Sequence, residues 1–334
     1  MLTRRTFLKR TVVTAGAVAA HSWVPAAGAQ EQQPLAFKGG GTAAATDPST
    51  VAGEKFAKLV EERTAGKVKL SYFGSGQLGG EREMVESVQL GSLGMVITGV
   101  TGHRIYDAFF LPYVFRGRDH MWNVLNGPIG DEWNQTMIKE RSLRVLGYAY
   151  RGPRQLTTSK VKVNRAGDVK GLKIRVPEIA PMVATWRALG AAPTPMAWPE
   201  VFTALQTGTI EGQENPLEII NSSKLWEVQR YLHVTNHVRV AWITLLDERL
   251  WQKMTPATQK IMADTWREVA DDLQKTVLAK EGDYLETARK NGMIVVQEPE
   301  LDVRSFRDAV KDVWKDIAPK AWGQGVYERI QATK

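Results

Sequence analysis

The stretch VKLSYFGSGQLGGEREMVESVQLGSLGMVITG, residues 68–99, decides the fold class. It opens with VKLSYF and closes with LGMVITG, and both segments have the apolar pattern of strands. The segment between them, GGEREMVESVQLGSL, is typical of an amphipathic helix. Upstream, a strand at Leu35–Lys38 and a helix at residues 49–67 precede this unit. The order strand, helix, strand, helix, strand over residues 35–99 predicts an α/β fold.

The upstream helix has a clear core face and a clear end. Its apolar residues are expected to turn inward, and Gly66 is expected to end it. The residues assigned to that inner face are Val51, Phe56, Leu59 and Val60.

Strand and helix patterns keep alternating downstream. Residues 142–160, SLRVLGYAYRGPRQLTTSK, predict a strand, a turn and a second strand, and the bulky run at 238–251 predicts another strand. A helix begins at Pro199, a favoured first residue. Thr255 and Pro256 then have the pattern of an N-cap and a first-turn proline, and only Gly282 interrupts a helical pattern before residue 291. A helix of about 35 residues spans about 50 Å, which is long enough to cross two lobes.

The first 29 residues have the pattern of an export signal. Residues 3–9, TRRTFLK, carry twin arginines, a short apolar run follows at 11–20, and Ala27–Ala29 offers a small-residue cleavage site. This pattern predicts a twin-arginine signal peptide and a periplasmic location. The alternative is an uncleaved anchor, but the apolar run is much shorter than the ~20 residues that a membrane span needs.

Composition excludes several classes of function. The chain has 334 residues and no cysteine, so disulfides, zinc-thiolate sites and thiol catalysis are excluded. All charges in the signal segment are basic, and the remaining chain carries 40 basic and 36 acidic residues, interspersed along its length. This weak positive balance does not indicate a nucleic-acid-binding protein and fits a small anionic ligand better.

Motifs for cofactors, metals and nucleophiles are weak. KGGGTAAAT, residues 38–46, matches a dinucleotide loop, but the acidic residues that should support it, Glu61 and Glu62, lie inside a helix. The alternative is a glycine-rich loop whose backbone N–H groups face a ligand. The histidines show no metal-binding motif, and FGSGQ lacks the spacing of a nucleophile elbow. We therefore expect no cofactor and no metal-ligating residues, and the sequence leaves open whether a metal ion accompanies the ligand.

Two polar features remain to be explained. In GLKIRVPE, residues 171–178, a half-buried strand ends at Pro177, and Arg175 lies at its end. Strand pattern alone leaves Arg175 either on a solvated face or in a site. TGTIEGQENP, residues 207–216, is either a surface loop or a polar cluster that orients a ligand.

The chain resembles the DctP-type substrate-binding proteins of tripartite ATP-independent periplasmic (TRAP) transporters. The similarity covers roughly residues 35–315. The motifs that carry it are GLKIRVPE, APTPMAWPEVFTALQTGTIEGQENPLEII (192–220), KLWEVQRYLHVTNH (224–237), GSGQLGGEREMVESVQLGSLGM (74–95) and FFLPYVF (109–115).

This resemblance implies a two-lobed periplasmic-binding-protein fold with central mixed sheets. The chain would cross between the lobes more than once, with residues 30–152 and 241–280 in one lobe and 153–240 and 281–334 in the other. The long helix would span both lobes. The implied function is that of a non-enzymatic, monomeric receptor that binds a small organic acid between the lobes. It would deliver that acid to the small and large membrane subunits, with no nucleic acid as a partner.

The resemblance also implies binding residues. Arg175, Arg154 and Asn215 would hold the ligand carboxylate, and Trp198 stands where the family more often has Phe. Glu178 would accept from a ligand hydroxyl and Trp242 would wall the pocket. Thr98 and Gly99 lie where sialic-acid-binding relatives carry Glu, so sialic acid is not expected. The tryptophans favour a compact acid with an apolar or aromatic part. Two alternatives stay open: an exported lyase that uses Glu178 or Glu214 as base, and a ligand sensor.

Overall fold

The computed structural model describes residues 31–334, so the predicted signal peptide lies outside the described residues. The strands are β1 (Leu35–Gly40), β2 (Val68–Phe73), β3 (Met95–Thr98), β4 (Leu143–Thr158), β5 (Lys173–Val176), β6 (Ala192–Pro195), β7 (Gly212–Pro216), β8 (Tyr231–His233), β9 (Arg239–Asp247) and β10 (Ile294–Val296). The helices are α1 (Pro48–Arg63), α2 (Glu81–Leu90), α3 (Arg104–Asp107), α4 (Arg118–Leu125), α5 (Pro128–Arg141), α6 (Ala180–Ala188), α7 (Trp198–Gln206), α8 (Leu217–Ser222), α9 (Glu248–Gln252), α10 (Pro256–Ala279), α11 (Glu281–Lys290), α12 (Val303–Val310), α13 (Val313–Trp322) and α14 (Val326–Ala332).

The unit predicted from residues 35–99 is confirmed. Strand β1 pairs in parallel with both β2 and β3, and helices α1 and α2 make the two connections. The inner face of α1 is corrected at one position: Phe56 and Val60 are fully buried, but Val51 is 52% exposed. Nine residues separate Val51 from Val60, so at about 100° per residue the two lie on opposite faces of the helix.

Strand β4 is the longest strand of the described chain and connects two parts of the sheet. The prediction of strand, turn and strand here is wrong, because the chain stays extended for 16 residues. Register shifts between Val145 and Gly147 and between Tyr150 and Gly152 bend the strand instead of ending it. Gly152 has a φ of 102°, which glycine adopts at little cost. A bulge within one strand therefore lies where the sequence predicted a turn between two strands.

The strands of the described residues follow the order β2-β1-β3-β9-β4-β7-β5-β6. Strand β9 lies antiparallel to β3 and to the first part of β4, whereas the last part of β4 pairs with β7 and β8. Strand β5 lies parallel to β6 and β7, and it ends before Pro177 as predicted. The sheet is therefore mixed, as predicted.

The polar stretch 207–216 is not simply a surface loop. Its last five residues form β7, a central strand in which every residue is buried. Polar side chains are tolerated here because they bond one another: Gln213 Nε2 donates to Thr157 Oγ1 at 2.9 Å, and Asn215 Nδ2 donates to Gln213 Oε1 at 2.7 Å. The surface-loop alternative is wrong for this part of the stretch.

The long C-terminal helix begins as predicted but is not continuous. Thr255 caps it by accepting from the backbone N–H of Thr258, and Pro256 is the first residue. The helix breaks at Lys280, two residues before Gly282, so α10 and α11 are separate helices. Helix α10 packs against α1 and β4, whereas α11 packs against α8 and β10. Together they span both parts of the sheet.

No helix within residues 31–334 combines the length and the apolar character needed to cross a bilayer.

Candidate functional site

A small cavity lies where β4 changes its pairing partners. Its free volume is about 20 Å³, which is room for about one water molecule. Charged side chains therefore converge on a very small space. The lining residues are Thr42, Glu81, Gly99, Val100, Phe110, Arg151, Arg154, Arg175, Pro177, Trp198, Asn215 and Ile219.

Arg175 lies in this cavity and not on a solvated strand face. Its neighbours Ile174 and Val176 point into an apolar cluster, and Arg175 itself is 3% exposed. Its Nε and Nη2 donate to the carbonyl oxygen of Met196 at 3.0 and 2.7 Å, and its guanidinium lies 5.4 Å from the ring centre of Trp198. Burial lowers the pKa of Arg175 to about 10. No carboxylate of residues 31–334 forms a salt bridge with it, so it is a buried cation without a direct counter-ion.

Arg154 lines the same cavity but has a partner. Its Nε and Nη2 donate to the two carboxylate oxygens of Glu214 at 2.5 and 2.8 Å, and Nη2 also donates to the Glu214 carbonyl at 2.7 Å. Glu214 is held in turn by His237 at 3.1 Å. Burial acts to raise the pKa of Glu214, but Arg154 and His237 outweigh it and lower that pKa. Glu214 is thus a committed ion-pair partner and is poorly suited to act as a base.

Asn215 follows Glu214 on β7 and also lines the cavity. Its amide is oriented by Gln213, which is oriented by Thr157 on β4. This chain of hydrogen bonds fixes the Asn215 side chain beside Arg154 and Arg175. The cavity thus brings together the three residues that the resemblance assigned to a carboxylate.

Gly99 lies in the cavity wall, and Thr98 lies behind it. Thr98 Oγ1 and the Gly99 backbone N–H donate to Glu81 Oε1 at 3.0 and 2.8 Å. Thr98 is 1% exposed and does not line the cavity, so it acts by positioning Glu81. Glu81 is the first residue of α2, where the helix dipole favours a carboxylate. Sequence reasoning missed Glu81, although its place at a helix start near the end of β3 was a usable signal.

Arg151 is the second residue that sequence reasoning missed. It is the unpaired residue of the β4 bulge. In a regular strand Arg151 and Arg154, three positions apart, would point to opposite faces, but the bulge breaks the alternation and both line the cavity. Arg151 Nε donates to Glu218 Oε1 at 2.5 Å, and its guanidinium lies 5.1 Å from the ring centre of Trp242.

Trp242 and Glu178 lie outside the cavity. Trp242 is 2% exposed and belongs to the apolar core, where it supports Arg151 instead of walling the pocket. Glu178 is exposed in an outer groove of about 340 Å³. That groove shares Glu81, Arg175 and Trp198 with the cavity, so it lies directly outside it. Trp198, half-buried, lies at the boundary between the two.

The arrangement is suited to binding and holds no nucleophile paired with a base. Its donors are guanidinium and amide groups, which hold carboxylates well. Among residues 31–334, no group of three or more histidine, aspartate or glutamate side chains is placed to hold a metal ion.

Residues 39–321 match the family model described as bacterial extracellular solute-binding protein, family 7 (DctP). The chain belongs to the DctP family. A solute-binding protein of Roseobacter denitrificans is 37% identical over 269 residues, which are 78% of this chain and 80% of that protein. Family members serve as the solute receptors of TRAP transporters.

Solved structures of this family share the fold. A TRAP periplasmic solute-binding protein from Polaromonas sp. JS666, bound to D-erythronate, is 35% identical with a TM-score of 0.84, covering 90% of this chain and 99% of that one. A second, from Roseobacter denitrificans with bound L-galactonate, is 30% identical with a TM-score of 0.82, covering 90% and 100%. The DctP chain described here therefore has the two-lobed α/β fold with a mixed sheet that the resemblance implied.

Proposed function

We propose that this chain is a periplasmic receptor that binds one small organic acid in the described cavity, with the carboxylate held by Arg175, Arg154 and Asn215. One observation carries the proposal: Arg175 is a buried cation without a direct counter-ion. Burying a charge is costly unless it is paired. A ligand carboxylate supplies that pair, and a planar guanidinium can hold it with two parallel hydrogen bonds.

The lobe boundaries belong to the proposal. Residues 30–152 and 241–280 form one lobe, and residues 153–240 and 281–334 form the other. The cavity lining supports this division, because Glu81, Gly99 and Arg151 come from the first set and Arg154 and Arg175 from the second. A cavity with room for one water admits an acid of several carbon atoms only if the walls separate and then close. The helix break at Lys280 falls at this boundary and is suited to absorb the motion.

The cellular role follows from the family. The proposal includes export to the periplasm by a twin-arginine signal peptide, and it includes a monomeric state for the exported chain. There it delivers its ligand to the small and large membrane subunits, without enzymatic turnover, a cofactor or nucleic acid. Titration of a purified signalling receptor or purified transporter with the ligand-loaded protein distinguishes a sensor from a transport receptor.

The test is a thermal-shift screen of residues 30–334 against D-erythronate, L-galactonate, pantoate, succinate, D-glucuronate and orotate. Ligand at 100 times its dissociation constant adds about 2.7 kcal/mol to the free energy of unfolding. For a chain of this size that raises the melting temperature by several degrees. The variant Arg175→Met keeps the side-chain volume and removes the charge. We expect it to lose the shift.

The matched control is Arg187→Met, because Arg187 is exposed on α6. We expect this control to keep the full shift. An acid that stabilises Arg175→Met as much as the wild type would contradict the proposed role of Arg175.

A further inference from the structure

Gly99 and Arg151 share one space in the cavity wall. A Cβ atom added at Gly99 would lie 3.2 Å from Nη1 of Arg151 and 3.7 Å from Oε1 of Glu81. The backbone of Gly99 does not have a positive φ, so its conformation permits a side chain. It is the guanidinium of Arg151 that occupies the room. The missing side chain at residue 99 therefore lets a charged group from β4 enter the site.

Arg151 is held from behind and leaves its outer nitrogens to the cavity. Its Nε donates to Glu218, and its planar group packs over Trp242. Within residues 31–334, neither Nη1 nor Nη2 of Arg151 donates a hydrogen bond to a protein group, and the side chain lines the cavity. Burial acts to lower the pKa of Arg151, but the carboxylates of Glu218, Asp47 and Glu81 together raise it. The group is charged and oriented before any ligand arrives.

Glu81 presents the complementary atom. Its Oε1 accepts from Thr98 and Gly99, which fixes the carboxylate in place. Within the described chain its Oε2 accepts no hydrogen bond, and Glu81 lines both the cavity and the outer groove. A fixed acceptor and a fixed donor therefore face the same small space.

We propose that Arg151 and Glu81 form a hydroxyl subsite that selects a hydroxylated monocarboxylic acid. The inference rests on the proposed function and names its substrate class. A hydroxyl can donate to Glu81 and accept from Arg151 at the same time. A methylene group can do neither and would leave the buried Arg151 and the half-buried Glu81 without this partner when the walls close over the ligand, which is the usual source of strong discrimination. A second carboxylate can accept from Arg151, but it cannot donate to Glu81, which repels it. The subsite therefore disfavours both alkyl acids and dicarboxylates.

The experiment compares D-erythronate, butyrate and succinate by isothermal titration calorimetry. All three have four carbon atoms, but they differ in hydroxyl and carboxylate groups. We expect the wild type to bind D-erythronate at least about tenfold more tightly than either competitor, because hydrogen bonds to charged groups are worth about that much. We expect Glu81→Gln and Arg151→Gln each to lower the affinity for D-erythronate about 10- to 100-fold. The affinity for butyrate, which has no hydroxyl, should change less than about threefold.

Two further variants separate the subsite from general damage to the fold. Gly99→Ala keeps both charges but crowds Arg151, so it should lower the preference for D-erythronate by a smaller factor. Glu62→Gln removes an exposed carboxylate from α1, which contributes no residue to the cavity or to the outer groove, and should change nothing. Melting temperatures without ligand identify any variant that fails to fold, and Gly99→Ala then carries the test.

The outcomes distinguish this inference from the proposed function. If Glu81→Gln, Arg151→Gln and Gly99→Ala leave the preference for D-erythronate unchanged while Arg175→Met still abolishes binding, the hydroxyl subsite is wrong and the carboxylate receptor stands. If all acids bind equally well in Arg175→Met, the proposed function is wrong, and with it the subsite. Loss of preference in Glu81→Gln and Arg151→Gln, with carboxylate binding retained, supports both.

Discussion

Arg154 and Arg175 lie in one cavity, are equally buried and have opposite surroundings. Arg154 is held by both carboxylate oxygens of Glu214, which is itself held by His237. Within residues 31–334, the side chain of Arg175 donates only to the carbonyl oxygen of Met196 and lies beside the ring of Trp198. The comparison teaches that a buried arginine with a carboxylate partner is part of the fold, whereas one without a partner is available to a ligand. The two residues should therefore respond differently to substitution.

The largest expected effect is the loss of stability when the Arg154–Glu214 ion pair is broken. Glu214→Gln leaves Arg154 as a buried cation without its partner, which should lower the free energy of unfolding by about 3–5 kcal/mol. Arg175→Met removes a buried cation that has no carboxylate partner within residues 31–334, so it should leave the free energy of unfolding unchanged or raise it. Urea unfolding followed by tryptophan fluorescence measures both. Glu200→Gln, on the exposed part of α7, is the control. Equal losses in Glu214→Gln and Arg175→Met would remove the distinction.

A second expected effect is a dependence of folding stability on pH. His233 lies at the end of β8, which pairs with β4, the strand that carries Arg154. The Nε2 atom of His233 accepts from the backbone N–H of Val163 at 2.9 Å. Burial lowers the pKa of His233 to about 4 from an ordinary value near 6.5. The neutral form is therefore the one that the folded state prefers. This contribution to stability is fully present above pH 6.5 and is lost as the pH falls toward 4.

The size of the pH effect follows from the shift in the pKa of His233. The lowering of the His233 pKa to about 4 corresponds to roughly 3 kcal/mol of unfolding free energy across this window. His233→Gln should flatten the loss between pH 6.5 and 4 relative to the wild type. A variant that follows the wild-type pH curve would show that another group is responsible.

The smallest expected effect is on ligand affinity and concerns Trp198, which lies beside Arg175. Trp198→Phe keeps an aromatic ring beside Arg175 but weakens the cation–π contact by about 0.5 kcal/mol. We expect the affinity for the bound acid to fall about two- to threefold in calorimetry, with little change in stability. An increase in affinity would indicate that the larger ring obstructs the ligand and does not support Arg175.

The sequence correctly predicted the strands and helices that are determined by short-range patterns of apolar residues. The alternation over residues 35–99 gave three parallel strands and two helices, and Pro177 correctly ended β5. Strand β4 was misjudged because Gly152 and Pro153 are common in turns, yet a bulge can accommodate them within one strand. The C-terminal helix was judged continuous because Lys280 carries no breaking signal of its own.

The site residues could be predicted only in part, because the positions of several side chains depend on the tertiary fold. Arg154, Arg175 and Asn215 lie in motifs that the chain shares with its family, and the cavity brings them together. The placement of Arg151 depends on the bulge. The resemblance assigned Trp242 and Glu178 to the pocket, but it does not reveal that Trp242 packs in the apolar core and that Glu178 lies in the outer groove. Strand β7 resembled a loop because its polar side chains satisfy one another only after the fold has formed.

The most direct test of the central claim measures unfolding and acid binding in the same preparation of Arg175→Met. The account expects a melting temperature without ligand equal to or above that of the wild type, and no calorimetric binding of the acid that the wild type binds. A variant that retains binding would contradict the claim that Arg175 holds the carboxylate. A variant that unfolds as easily as Glu214→Gln would contradict the claim that Arg175 is available to a ligand and is not needed for the stability of the fold.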